Sequence, residues 1–205
     1  AKVTSEVTPH HLFFSVDESG VLADGAVVHS NRSFFDCNPP LRSERQRNSL
    51  IEALRDGLIT MVAGDHAPHT FEDKKKGAPG MPQLDTYGPF AAWMINRLGF
   101  SCNKIAELFS RAPARLISGY ISGDYGSIKV GAQANLTVLD LSGETLVKDD
   151  MIVGRGPLQT RCAWSPFNGI PLPGAVFKVL LNGLPYDSTM NLSGHNYPNT
   201  DKKRV

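Results

Sequence analysis

The sequence predicts an α/β chain: a stretch of (β/α) barrel followed by a small β-rich module. Three observations carry this. A helix-period segment over 42–57 is followed by an apolar run of strand length over 58–64. That run delivers the polar cluster Asp65-His66-Ala67-Pro68-His69 at its C-terminal end, where (β/α) barrels keep their chemistry. Beyond Gly119 the pattern changes to short Val- and Leu-rich strands separated by Gly, Pro and Asn. The expected division is 1–120 for the barrel part, 121–187 for the β module and 188–205 for a polar tail.

The elements read in order as follows. Residues 2–8 alternate polar and apolar side chains and predict a short strand ending at Pro9-His10-His11. Residues 17–32 lack periodicity and read as a surface loop, and 33–37 as a second short strand stopped by Asn38-Pro39-Pro40. In the helix over 42–57, Leu50, Ile51, Leu54 and Leu58 recur at helical spacing. Ser43 with Gln46 makes a capping box, and Gly57 makes the stop. Residues 70–87 read as a long Lys-, Gly- and Pro-rich loop over the strand end. Helices are expected at 89–98 and 103–118, strands at 136–141 and 176–181, and a turn at Asn182-Gly183.

Composition bounds the function. Apolar residues make up 41% and charged residues 20%, enough for a sizeable core in a water-facing protein. A formal net charge of +1 gives no basic face for nucleic acid. The apolar runs are too short to cross a bilayer. Three cysteines without regular spacing make no disulfide framework and point to a reducing, cytoplasmic setting. The chain opens on Ala1 and Lys2 and enters a strand at once, which reads as a piece of a longer polypeptide.

Asp65 at a barrel-strand mouth is suited to holding a metal ion and to taking a proton from the water such an ion acidifies. The competing reading, a helix-capping Asp before a loop, weighs about equally. His69, beyond a Pro-stiffened turn, is placed to meet an anionic group. His10 and His11 read as a packed pair, because adjacent side chains of an extended segment face opposite ways. Asn38 offers an amide that both donates and accepts, as a cyclic imide requires, although for the motif in isolation an ordinary turn Asn before a helix is the favoured reading. Cys37 reads as a buried structural thiol, His29 and His195 as exposed. Lys74, Lys75 and Lys76 form a solvated loop face from which one could reach an anion.

In order and spacing these motifs resemble the dihydroorotase family of the amidohydrolase superfamily. The matching stretches are VTSEVTPHHLFFS (3–15), NPPLRS (38–43), ALRDGLITMVAGDHAPHT (53–70), GAPGMPQLDT (77–86), RAPARLISG (111–119), GSIKVGAQANLTVLD (126–140) and SPFNG (165–169). The resemblance implies the C-terminal part of a (β/α)8 TIM-type barrel. It implies Asp65 as zinc ligand and general base and acid, and His69 as holder of the substrate carboxylate. Asn38 and the loop containing Pro82 and Gln83 would contact the dihydropyrimidine ring. It implies one or two zinc ions, whose other ligands would lie upstream of Ala1. The substrates would be dihydroorotate and N-carbamoyl-aspartate. A homodimer is expected, and aspartate transcarbamoylase is a candidate partner. An allantoinase or hydantoinase, or a non-catalytic scaffold for the transcarbamoylase, are the alternatives. Gln83 stands where the family usually has Gly, Asn135 replaces a common Asp, and Asp36-Cys37 replaces larger or basic residues.

Overall fold

A computed structural model of the chain describes residues 3–29 and 32–186. The N-terminal part opens with β1 (Glu6–Val7), α1 (Pro9–Phe13), β2 (Phe14–Asp17), β3 (Gly20–Ala23) and β4 (Ala26–His29). A 3₁₀ turn (Arg32–Phe35), α2 (Glu44–Arg55), β5 (Met61–Val62), α3 (Phe71–Lys75) and α4 (Leu84–Asn96) follow. Next come α5 (Cys102–Ala106), a π turn (Glu107–Arg111) and α6 (Ala112–Ile117). The remaining elements are β6 (Leu136–Lys148), β7 (Met151–Ile152), β8 (Gly156–Pro157), β9 (Pro171–Leu181) and β10 (Leu184–Pro185).

β1 and β5 pair in parallel, Glu6 opposite Met61 and Val7 opposite Val62. Parallel pairing demands a crossover, and the 2–3–4 antiparallel sheet and α2 lie within it. The five-stranded antiparallel sheet has the order β10-β9-β6-β7-β8. Its backbone is the long β6–β9 pair, whose register shifts between Val138 and Leu139 and again between Asp140 and Glu144.

α4 lies between the two regions. Phe90, Ala92 and Met94 are wholly buried. On one side Trp93 meets Phe13, with ring centroids 4.9 Å apart, and Phe13 meets Phe167 at 5.0 Å. On the other side α4 lies on β9 so closely that a Cβ at Gly174 would sit 2.2 Å from Ala92 Cβ, and one at Gly88 would sit 2.4 Å from Val176. Both glycines therefore serve close approach of a helix to a sheet. The buried Arg47 side chain ties α2 to the same core by donating from Nη1 to the Phe13 carbonyl at 3.1 Å.

Several expectations are corrected. The loop expected over 17–32 is, through residue 29, strand: β2, β3 and β4 form two hairpins. Asp24 and Gly25 both have positive φ, 49° and 79°, as a two-residue hairpin turn requires. The Asp and Gly mark turns between strands rather than irregular chain. The strand expected over 33–37 is a 3₁₀ turn, with Phe35 buried in the core. Pro9-His10-His11 is not extended. Thr8 caps a helix with Pro9 at its first position, a place where proline's missing N–H is harmless. The strand of 58–64 narrows to Met61–Val62, and Leu58 is 75% exposed. The loop of 70–87 contains α3, capped by a reciprocal Thr70–Asp73 box, and α4 begins within it at Leu84.

The Ser43–Gln46 capping box, the stop at Gly57 (φ +79°) and the Asn182-Gly183 turn (φ 51° and 82°) are present as read. The tail over 188–205 with His195, and the His29 side chain, lie outside what is described. Among the described residues no helix is long and apolar enough to cross a membrane.

The tight α4–β9 contact yields a contrast. Gly174→Ala adds a methyl into backbone-bearing neighbours at φ +112° and is expected to destabilise the chain by about 2–4 kcal/mol. Gly99→Ala, with nothing within 4 Å at φ +70°, carries only the conformational penalty, about 1 kcal/mol. Urea midpoints of the two variants check this, and equal losses would mean that the helix can shift off the sheet.

Candidate functional site

The site grows from the exit of β5. Tyr87 holds that exit by donating its hydroxyl to the Val62 carbonyl at 2.8 Å; burial raises the phenol to about 12. The strand stops because Asp65 turns left-handed (φ 46°), a conformation Asp tolerates better than most residues. The carboxylate is exposed, and among the described residues it takes no hydrogen bond. The chain then runs alongside Met81: His66 bridges to Met81, and the Ala67 N–H donates to the Met81 carbonyl at 3.1 Å.

His66 faces the start of α4. Gln83 gives that helix no side-chain cap, and His66 Nδ1 accepts instead from the Gln83 N–H at 3.0 Å and the Leu84 N–H at 3.4 Å. A residue at a strand mouth thus satisfies a helix's orphan donors, a role only the tertiary contact reveals.

His69 is half-buried. Its Nε2 donates to the Pro79 carbonyl at 3.0 Å, and its own carbonyl accepts from Trp164 Nε1 at 2.7 Å. Beneath the ring lies Gly80 (φ +128°), where a Cβ would come within 2.5 Å of Ala67 Cβ and 3.3 Å of the His69 ring. With Nε2 so engaged, Nδ1 is the unengaged ring nitrogen.

Asn38 is exposed beside the cis Asn38–Pro39 bond, and among the described residues its side chain is unengaged. Cys37 is buried, as expected of a structural thiol; burial pushes it up to about 11, and its Sγ donates to the Pro39 carbonyl at 3.2 Å. His11 makes both its ring contacts nearby, Nδ1 with Thr8 Oγ1 at 2.6 Å and Nε2 with the Pro39 carbonyl at 2.8 Å. Burial lowers its pKa, opposed by the Pro39 hydrogen bond and the Asp65 charge, with Arg42 lowering it further. Asp65 acts electrostatically on both His11 and Cys37, so the strand exit and the Asn38 turn share one mouth.

Pro82 and Gln83 are buried. The Gln83 backbone is already engaged, its N–H by His66 and its carbonyl by Thr86. Its side-chain amide lies 3.1 Å from His10 Nδ1, leaving Gln83 Oε1 and His10 Nε2 as buried atoms without partners. Which amide atom faces Nδ1 is an assignment; turning the amide so that Oε1 accepts from an Nδ1–H would satisfy one of the two.

Lys74 departs most from expectation. It is not on a solvated face but fully buried, and Nζ donates to the carbonyls of Asp36 (3.0 Å), Ala78 (2.8 Å) and Gly80 (2.9 Å). Burial lowers its pKa, with the nearby Asp36 and Cys37 opposing. All three ammonium donors are engaged, which removes Lys74 as an anion ligand. Lys75 pairs with Glu72 at the surface.

Ligand atoms of His10, His11 and Cys37 lie within 4.8 Å of one another. The two adjacent histidines converge because they begin a helix, correcting the extended-chain argument. Yet His11 has both ring nitrogens engaged, and Cys37 Sγ is turned to the Pro39 carbonyl. A catalytic zinc needs about three protein ligands. Asp65 is the open carboxylate here, and the described residues do not by themselves make a metal centre.

Two predictions follow from this geometry. In zinc titration calorimetry the 205-residue chain is expected to bind weakly; stoichiometric tight binding would require that His10 Nε2 and Asp65 converge on an ion. The second concerns acid. Burial, and then His11, hold the His10 imidazole down at about 3, against 6.5 ordinarily. Below 6.5 the unfolded chain binds a proton that the folded one refuses. His10 therefore contributes stability above that pH and loses it as the pH falls toward 3, with a slope of about 1.4 kcal/mol per pH unit. His10→Gln should flatten the acid limb of the stability profile by about one proton; an unchanged slope would place the acid sensitivity elsewhere.

No family model matches the chain. Among known proteins it is 31% identical over 184 residues to the dihydroorotase of Clostridium botulinum, covering 89% of this chain and 40% of that protein. It is 35% identical over 182 residues to that of Archaeoglobus fulgidus, covering 88% and 40%. The chain thus spans about two-fifths of the length of the curated relatives it matches. In fold it resembles the L-hydantoinase of Arthrobacter aurescens (TM-score 0.67, 25% identity, 89% of this chain and 38% of that one). It also resembles the dihydropyrimidinase of Brevibacillus agri (TM-score 0.72, 20% identity, again 89% and 38%). The fold is kept at 25% and 20% identity in those structures, whereas the dihydroorotases retain 31% and 35% across nearly nine-tenths of this chain, and on that ground the chain belongs to the dihydroorotase family of amidohydrolases.

Proposed function

We propose that the chain is the C-terminal part of a dihydroorotase, the barrel part over 1–120 carrying the site and the β module over 121–187 supporting α4. The whole protein would interconvert dihydroorotate and N-carbamoyl-aspartate. The observation that carries this reading is the Asp65 carboxylate, open at the exit of a parallel strand, while His11 beside it is held at both ring nitrogens and His66 at one.

In this reading Asp65 takes a proton from the water that attacks the ring amide carbonyl. It returns that proton to the ring nitrogen as the C–N bond breaks. His69 holds the ring carboxylate through its unengaged Nδ1 edge, and Asn38 donates to and accepts from the ring. Gln83 acts indirectly by closing the pocket floor against His10. The resemblance carries one or two zinc ions, with Asp65 as the described ligand; such an ion would polarise the ring carbonyl. Exposed apolar side chains at Tyr120 (89%), Ile128 (90%) and Val130 (105%) support contact with further protein, a second copy among the candidates. His69 favours a carboxylate-bearing ring over the uncharged rings of hydantoinases.

The test uses the full-length protein that carries this chain, with dihydroorotate and the uncharged dihydrouracil as substrates. Asp65→Asn is expected to lower turnover by about 10²- to 10⁴-fold on whichever ring is opened. His69→Ala is expected to lower kcat/KM for dihydroorotate by about 10- to 100-fold, the worth of a charged hydrogen bond, while leaving dihydrouracil nearly unaffected. Failure of the wild-type protein to open either ring would overturn the enzyme reading in favour of a non-catalytic scaffold, and copurification with aspartate transcarbamoylase would then be the measurement to make.

A further inference from the structure

We propose that Lys74 is a positioning residue of this site: its buried ammonium sets the spacing between His69 and Asn38. The inference rests on the substrate roles proposed above for those two residues, but its geometry stands independently. Lys74 is 0% exposed, and Nζ meets three main-chain carbonyls at 2.8–3.0 Å.

Those carbonyls belong to two separate segments. Ala78 and Gly80 flank Pro79, whose carbonyl accepts from His69 Nε2 at 3.0 Å. Asp36 lies two residues before Asn38, and its carbonyl also accepts from the Gly80 N–H at 2.8 Å. α3 completes the ring of contacts. It is capped at Thr70, immediately after His69, and carries Lys74 in its last turn. His69, α3, the ammonium and the 78–80 strip therefore form one closed loop, and the Asp36 carbonyl anchors the Asn38 turn to it.

A fully buried lysine is rare unless paired, and no carboxylate lies on this one: Nζ meets carbonyl oxygens only. Three carbonyl dipoles converging on one cation make a rigid node. A neutral side chain would leave those carbonyls short of donors and free to spread. The Asp65 carboxylate, by contrast, hangs on β5 and takes nothing from the node. Loss of the ammonium should therefore damage recognition of the ring carboxylate more than proton transfer.

The experiment is Lys74→Met in the full-length protein, with Lys74→Gln, which retains two donors, as the second variant should the first fail to fold. KM for dihydroorotate is expected to rise by about 10-fold or more, since misplacement of about 1 Å can cost up to 10²-fold. KM for dihydrouracil, which meets Asn38 but lacks the carboxylate, should rise less than KM for dihydroorotate, and kcat on either ring should fall less than KM for dihydroorotate rises. A merely structural role would lower the active fraction, reducing kcat on both rings equally and leaving both KM values in place; that outcome overturns the proposal.

A readout independent of activity separates this inference from the functional one. In histidine-selective ¹⁵N spectra the His69 ring signals should shift in either variant while those of His66 stay. An unmoved His69 in a folded variant overturns the positioning claim, whatever the enzyme assay shows. A moved His69 in a protein that opens neither ring upholds the positioning and overturns only the function.

Discussion

The burial of α4 on two faces constrains the rest of the structure. A helix that is apolar nearly all round must be covered nearly all round, and here one face meets the Phe13–Trp93–Phe167 aromatic core while the other lies against β9. The second contact is so close that glycine is required on both sides, Gly174 in the strand and Gly88 in the helix. With the helix so fixed, its first turn is fixed too. Its orphan N–H groups then determine where His66 must stand, and with it the exit of β5. The position of Asp65 is a consequence of helix packing as much as of strand pairing.

Four histidines around this exit show how neighbours decide the chemistry of one side chain. His10 is fully buried and kept neutral by desolvation. His11 is held at both ring nitrogens, by Thr8 and by the Pro39 carbonyl. His66 caps a helix. His69 is tethered at one nitrogen and has the other available. His66 and His69 both combine a fixed ring with an unengaged nitrogen, and His69 is the one given the anion-holding role above. The remaining three make the walls of the site rigid. Cys37, close to this group, is kept as a thiol by the same burial that neutralises His10.

Loop chemistry reinforces this division. The segment between His69 and Met81 would be an irregular cover if its lysines faced water. Instead the Thr70–Asp73 capping box starts a short helix that turns Lys74 inward, and the ammonium gathers carbonyls from two segments. Gly80 permits the close approach beneath the His69 ring. A helix of five residues could not persist alone in water; tertiary hydrogen bonds to its buried lysine hold it.

Much of the outline was legible in the sequence because it depends on local chemistry. The α2 capping box, its glycine stop, the Asn182-Gly183 turn, the parallel strand leading to Asp65 and the β-rich character of the chain beyond Gly119 follow from periodicity, caps and turn residues that act within a few positions of themselves. Motif order was enough to identify the family, and Asp65, His69 and Asn38 were legible as candidates through it. What the sequence could not determine are contacts between segments far apart along the chain. Whether Asp24-Gly25 joins two strands depends on the strands' finding a core. Whether His10 and His11 diverge or converge depends on Thr8 starting a helix there. Nothing local distinguishes Lys74 from Lys75 and Lys76. Only the folded chain brings the Asp36, Ala78 and Gly80 carbonyls around one ammonium, because the cost of burying a charge is met by dipoles that tertiary structure alone can gather.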